Sequence, residues 1–326
     1  MASGARASAS EHDAGWERNV DAAAMEQQVA SAPMPDWVDV TRRNSRAVQS
    51  TVGWIFWDPA AVSRYEALGL PGPLGYIAAR CAPLAPAGAE AVVAAFGSIS
   101  PAAIHATFAQ RPDFDAFWRA RDTAVVDGLR RFAPAIVAPL QALAPGLWSV
   151  VESLPKVGRP FFAGHLRMRR PADPLLSGWH AVNCIREWRG DTHWALVAAA
   201  RLTGIEASIL HNAWLGYERD WIPRSRGSDL EEITDGWTSL RERALADDRG
   251  VTDRGVRLRQ RIEDETDALT SIVWQRLGLE ASLAFADRFE GPCELLLARV
   301  DVTAGPNYQP ASRVRTTPAS VMERGD

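Results

Sequence analysis

The stretch WHAVNCIREWRGDTHWALVAAARLTGIEASILHNAW, Trp179–Trp214, holds three of the chain's six histidines and four of its thirteen tryptophans. Ala200 and Gly204 stand four residues apart in it, and Ile205 and Leu210 follow at apolar positions. A small residue lets two helices approach and a glycine permits a turn, so this spacing predicts a helix-turn-helix corner. The apolar periodicity predicts helices over Pro174–Arg189, Thr192–Leu202 and Ile205–Leu215, with Asp191 and His193 at the first turn.

Downstream, Ser228 or Asp229 caps a helix over Leu230–Leu245. Asp247-Asp248-Arg249-Gly250 then reads as a turn between two very short apolar pieces, and Thr252 or Asp253 starts a long helix. Helices, a tight hairpin and a closing helix make a winged-helix pattern. Upstream, Asp58-Pro59 and Ser100-Pro101 each pair an N-cap with a proline at the first helical position. Short helices are expected at Leu74–Cys81, Glu90–Phe96 and Ala102–Phe108, then longer ones over Ala120–Leu143 broken near Pro134 and Pro139.

The expected fold is mainly α, an N-terminal helical lobe plus a winged-helix-like C-terminal lobe with one short β-hairpin. Its expected divisions are a flexible arm (1–45, with a short helix around Asp21–Val29), the N-terminal lobe (46–157), the winged-helix-like lobe (158–304) and a flexible tail (305–326). Residues 158–170, GRPFFAGHLRMRR, read as a linker.

With 47% apolar and 23% charged residues, the 326-residue chain belongs with proteins that bury a real core. Three scattered cysteines without a CxxC pair argue against a disulfide framework and a thiolate metal site. The N-terminus lacks an apolar signal core, and no run of eighteen apolar residues is free of charge, so the chain is expected in the cytoplasm with no membrane partner. A net charge of −4 lacks the basic excess of a protein that coats nucleic acid.

Both candidate DNA-reading helices are poor in cations. IEASILHNAW has neither Arg nor Lys, and SDLEEITD places Asp229, Glu231, Glu232 and Asp235 where phosphates would lie. On the wing, Arg249 and Arg254 are offset by Asp247, Asp248 and Asp253.

A small-molecule site has more to draw on. His180, Asn183, Cys184 and Glu187 fall at i, i+3, i+4 and i+7, one face of a helix. If the helices fold together, these residues and Asp191, His193 and His211 face a tryptophan-walled hollow, with hydrogen-bonding and acid–base groups inside an apolar cup. The candidate catalytic residues are His180, Glu187, Asp191 and His193, with His193 or His180 as acid or base. The candidate binding residues are Tyr76, Arg80, Trp179, Asn183, Arg186, Arg189, Trp194 and His211. The competing reading makes Arg186, Glu187, Arg189 and Asp191 a structural ion-pair network at a helix junction. No HxxxH or HxH spacing supports a metal, and no glycine-rich phosphate loop or G-x-S-x-G motif supports a nucleotide cofactor or serine-hydrolase chemistry. No cofactor is expected.

The stretches Leu68–Phe96, GRPFFAG (Gly158–Gly164), Pro174–His211 and GVTDRGVRLRQRIEDETD (Gly250–Asp267) resemble the SalK-like proteins of actinobacteria, helical proteins with a degenerate MarR-like winged-helix part found in some natural-product clusters. In that family the middle motif looks like W-H-x(n)-R-E-H-R-G-D-x-H, and the last like the L-T-P-x-G-R segment of MarR-type regulators. Here Trp188 stands for a histidine and Asp253 for the proline. The resemblance covers about Trp57 to Gly278 and implies the fold more than any reaction. It favours Arg186, Glu187, Arg189, Asp191 and His193 as one functional unit.

The expected function is therefore an intracellular protein that binds a small hydrophobic or aromatic molecule, with catalysis in specialised metabolism and a homodimer left open. The alternative is a MarR-like, ligand-responsive regulator that binds DNA through the winged helix, which the charge disfavours.

Overall fold

The computed structural model describes residues 35–313. The short helix expected around Asp21–Val29 lies outside them. Among the described residues the chain is mainly α, with one two-stranded antiparallel hairpin.

The first half runs α1 (Trp37–Gly53), α2 (Pro59–Ala67), α3 (Gly72–Cys81), α4 (Ala89–Phe96), α5 (Pro101–Ala109), α6 (Phe114–Phe132), α7 (Val137–Ser153) and α8 (Pro160–Arg167). The second half runs α9 (Pro174–Ala199), α10 (Gly204–Leu215), α11 (Trp221–Ser225), α12 (Leu230–Glu242), β1 (Ala246–Asp247), β2 (Gly250–Val251), α13 (Asp253–Thr270), α14 (Ile272–Leu277) and α15 (Leu279–Thr303). Short polar side chains start many of these helices by accepting otherwise unpaired N–H groups. Asp58, Asp113, Asp173 and Thr252 do so singly, while Thr203–Glu206 and Asp229–Glu232 form reciprocal capping boxes. Ser100 departs from expectation. Its hydroxyl finds no partner among the described residues, and its backbone N–H donates instead to Arg226 O at 3.0 Å.

One continuous 26-residue helix, α9, replaces the two helices expected between Pro174 and Leu202. Tertiary packing overrides the turn-like Arg189-Gly190-Asp191. The Asp191 carboxylate accepts the Phe162 N–H at 2.8 Å, and Thr192 Oγ1 donates to Trp188 O one turn back. Trp179, Val182, Ile185 and Trp188 are all buried, so α9 is the axis of the main core, with α1, α7, α8 and α13 packed around it. A fully buried side chain of this size contributes about 2–3 kcal/mol. Residues 158–170 are no linker, because α8 buries Phe161, Phe162 and His165 there.

The winged-helix part consists of the end of α9, then α10, α12, the hairpin and α13, around a second core of Val197, Leu210, Ile233, Trp237, Leu240 and Ile262. At its corner Arg201, not Gly204, takes the left-handed conformation, at φ 57°. Gly204 serves close approach, since a Cβ there would lie 1.9 Å from Gly97 O. Arg243 donates to Ala200 O at 2.9 Å and to Arg201 O at 2.8 Å, satisfying carbonyls that the end of α9 leaves open. In the hairpin Ala246 pairs with Val251 and Asp247 with Gly250, while Asp247 Oδ1 accepts the N–H groups of Arg249 and Gly250.

Three expected boundaries move. Helix α1 begins at Trp37, and its Thr41 and Asn44 are buried, so 37–45 is core and not arm. Residues 37–313 form one compact unit, and the main core draws on residues from Ala47 to Val300 across the expected lobe border. Gln309 and Ser312, expected in a loose tail, are buried, with Gln309 Nε2 donating to Gln49 O at 2.9 Å. Among the described residues one stretch, Pro134–Ser153, is by length and composition apolar enough to cross a membrane, contrary to expectation. Its Leu140, Leu147, Trp148 and Val151 pack into the main core along α9, as in the core helix of a globular protein.

Candidate functional site

A cavity of about 970 Å³ opens between the winged-helix part and the rest of the molecule. Contributions come from α1, α3, the α4–α5 turn, the second half of α9, α10, α11, α13 and the segment after α15. Aromatic rings line one side. Trp57 packs at 5.9 Å from Tyr76 and 4.5 Å from Tyr308, and Tyr308 lies edge-on to Trp221 at 4.9 Å. Trp194 and Trp214 complete the wall, a surface suited to a flat apolar body.

The opposite character comes from charge. Nine arginines and three carboxylates line the cavity. The carboxylates are shared. Glu187 pairs with Arg186 and with Arg80 (3.2 Å), and Glu263 with Arg189 (2.5 Å) and Arg259 (2.7 Å). Arg189 also reaches Asp267 at 2.8 Å. Arg42 pairs with Asp39 and also reaches Asp267 at 3.7 Å, while Arg46 and Arg313 pair outward with Glu294 and Asp301. Stacking fixes the guanidinium planes, with Arg80 over Phe96 at 4.5 Å and Arg259 over Trp214 at 4.8 Å.

Burial and these charges set the protonation states. Burial alone would raise the Glu187 carboxyl, but Arg186, Arg80 and the neighbouring His165 bring it down to about 2. Glu263 is likewise held well below the carboxylate range by Arg189 and Arg259 against its desolvation. Burial, then Arg259, pushes His193 down to about 3, and burial with Arg259 and Arg226 drives His211 well below its usual value. Both imidazoles are neutral near pH 7. Thr266 Oγ1 donates to Ile262 O at 2.6 Å, so its contact with His193 Nδ1 at 3.0 Å makes that nitrogen the donor. His193 Nε2 is left as an acceptor.

The structure brings together eight of the twelve expected residues: Tyr76, Arg80, Arg186, Glu187, Arg189, His193, Trp194 and His211 all line the cavity. It separates the other four. His180 sits in another buried cluster, its Nε2 3.1 Å from both oxygens of Asp122, beside Arg121 and edge-on to Trp118. Asp191 caps the start of α8, and burial raises its carboxyl to about 7. Trp179 donates to Thr51 O at 2.8 Å inside the core, and Asn183 is buried with no partner for its Oδ1 among the described residues.

Sequence reasoning missed the far wall. Arg259, Glu263 and Asp267 lie at i, i+4 and i+8 of α13, a polar stripe that could have marked an inward face. Arg226 and Tyr308 sit in turns and gave no signal.

The sequence profile of a helix-turn-helix family matches residues 41–303, and the chain belongs to that family. No curated protein and no solved structure matches it. The match spans the cavity-forming helices as well as the winged-helix part, so the family's shared unit includes both.

Proposed function

We propose that the protein is a small-molecule-binding member of the helix-turn-helix family, with the inter-core cavity as its site. The observation that carries this reading is the cavity itself, with its aromatic wall facing paired arginines. That combination places apolar burial beside a few fixed polar groups, as ligand sites do. Cytoplasmic residence and kinship with the SalK-like proteins belong to the same proposal. Burial and the Arg259 guanidinium push the His193 imidazole down to about 3, so the proposal is one of binding and assigns it no catalytic role. The test is native mass spectrometry of protein purified from a producing host. The reading expects a retained adduct that leaves on denaturation. Repeated ligand-free preparations, together with no thermal shift across a panel of aromatic acids, would count against it.

Family membership favours a second reading, a ligand-responsive regulator that binds DNA, and the comparisons speak for it more than for the first. An exposed Arg254, Arg257 and Arg261 stripe on α13, beside the wing, adds local support. Against it, the exposed face of α12 carries Glu231, Asp235 and Glu242 with only Arg241 to offset them. An electrophoretic shift on the gene's own upstream DNA at physiological salt tests it. A sequence-selective shift would put DNA binding first, and none would leave the cavity as the site of function.

A further inference from the structure

Arg226 follows α11 and is half-buried at the cavity wall. Its backbone is clamped between the two sides of the cavity, because its carbonyl accepts the Ser100 N–H at 3.0 Å from the α4–α5 turn. Its guanidinium makes no ion pair or side-chain hydrogen bond among the described residues. The charged groups acting on it are other cations, Arg80 from α3 and Arg259 from α13, with the Tyr76 phenol beside them. It also acts on His193 from α9 and His211 from α10.

Arg226 is thus an uncompensated cation at the convergence of five elements. Burial and repulsion lower even its guanidinium to about 10. The neighbouring carboxylates cannot relieve it, since Glu187 and Glu263 are each already shared by two arginines. Other donors nearby are also unspent. The Ser208 hydroxyl and Arg80 Nε are buried without partners among the described residues, and Arg259 Nη1 meets Glu263 too far off-axis for a hydrogen bond. Arginines held together with fewer carboxylates than cations are a cost to the fold unless an anion is bound among them.

We infer that the cavity takes an amphipathic organic anion, its oxyanion group at Arg226 with Arg80 and Arg259, and its flat apolar body against Trp57, Trp214 and Tyr308. This inference rests on the small-molecule reading and narrows it to a chemical class. The oxyanion is a carboxylate or a phosphate monoester, which share this recognition chemistry.

The test compares two fluorescent probes with the same aromatic body, 8-anilinonaphthalene-1-sulfonate and the uncharged N-phenyl-1-naphthylamine, titrated into the full-length folded protein. The sulfonate should bind at least about tenfold tighter, by a margin that shrinks with salt. Arg226→Gln should weaken the sulfonate by roughly tenfold, leave the neutral probe within about twofold, and raise Tm; Arg226→Lys should recover part of the sulfonate affinity. Displacement by benzoate against phenyl phosphate then separates the two oxyanion sources. Equal affinities for both probes, unchanged by Arg226→Gln, would overturn the inference and leave the cavity reading standing. A folded protein that binds neither probe would overturn both. A fall in Tm for Arg226→Gln with unchanged probe binding would make Arg226 a structural residue and refute the assignment.

Discussion

The inner face of the winged-helix part buries paired charges, whereas the outer face of α12 is acidic. Inside, the end of α9, α10 and α13 turn Arg189, Arg259, His193 and His211 toward the cavity. Outside, α12 shows Glu231, Asp235 and Glu242, and one of its two basic neighbours, Arg243, is committed to the corner carbonyls and Glu206. A helix-turn-helix built to hold a duplex concentrates cations on its outer face, where phosphates lie. Here α12 offers no such concentration, and the exposed arginines of this part stand on the wing and α13, at Arg249, Arg254, Arg257 and Arg261. The acids on α12 have a local explanation as well, since Asp229 and Glu232 close its capping box.

The hardest way to break this comparison is to remove a carboxylate from the inner face. Glu187→Gln leaves Arg80 and Arg186 buried without a neutralising partner and should cost about 3 kcal/mol of stability, read from urea unfolding. A loss under about 1 kcal/mol would mean that the inner charges are solvated as on a surface. Next in size, Gly204→Ala drives a Cβ into Gly97 O and should cost about 2 kcal/mol by forcing the helix-turn-helix corner away from the α4–α5 turn.

A pH titration sharpens the comparison further. His193 is depressed from 6.5 to about 3 in the fold, so its contribution to stability is complete above 6.5 and is lost as pH falls from there toward 3. Tm should fall between pH 7 and 5, and His193→Gln should flatten that slope. An unchanged slope in the variant would place the imidazole in solvent. The smallest stability effect belongs to the outer face. Glu231→Gln with Asp235→Asn should change stability by no more than about 0.5 kcal/mol while strengthening non-specific duplex binding at low salt. A large stability loss would show these side chains to be structural.

The sequence made the outline of this architecture legible through local chemistry. Asp58, Asp229 and Thr252 announce helix starts, and Asp247 to Gly250 announce the hairpin, because caps and turns depend on a few adjacent residues. The continuity of α9 and the burial of α8 were hidden, since both come from a contact between Asp191 and Phe162 that local propensity does not encode. The site was legible where one helix presents it. Arg186, Glu187, Arg189 and His193 share a short span of α9 and reach the cavity together. His180 shares a face with Glu187 but lies about 10 Å further back along the helix axis. There α9 meets Asp122 of α6 instead. Arg226 was invisible because its meaning arises from what surrounds it in three dimensions.

The central claim is that the cavity carries an excess of positive charge, nine arginines against three carboxylates. Collisional quenching of tryptophan fluorescence tests it directly, because Trp57, Trp194, Trp214 and Trp221 line that space while Trp54, Trp179, Trp188 and Trp274 are sealed in the core. Iodide should quench the native protein far more efficiently than caesium, with the gap narrowing as sodium chloride is added and again in Arg226→Gln. Equal quenching by the two ions, or stronger quenching by caesium, would contradict the account.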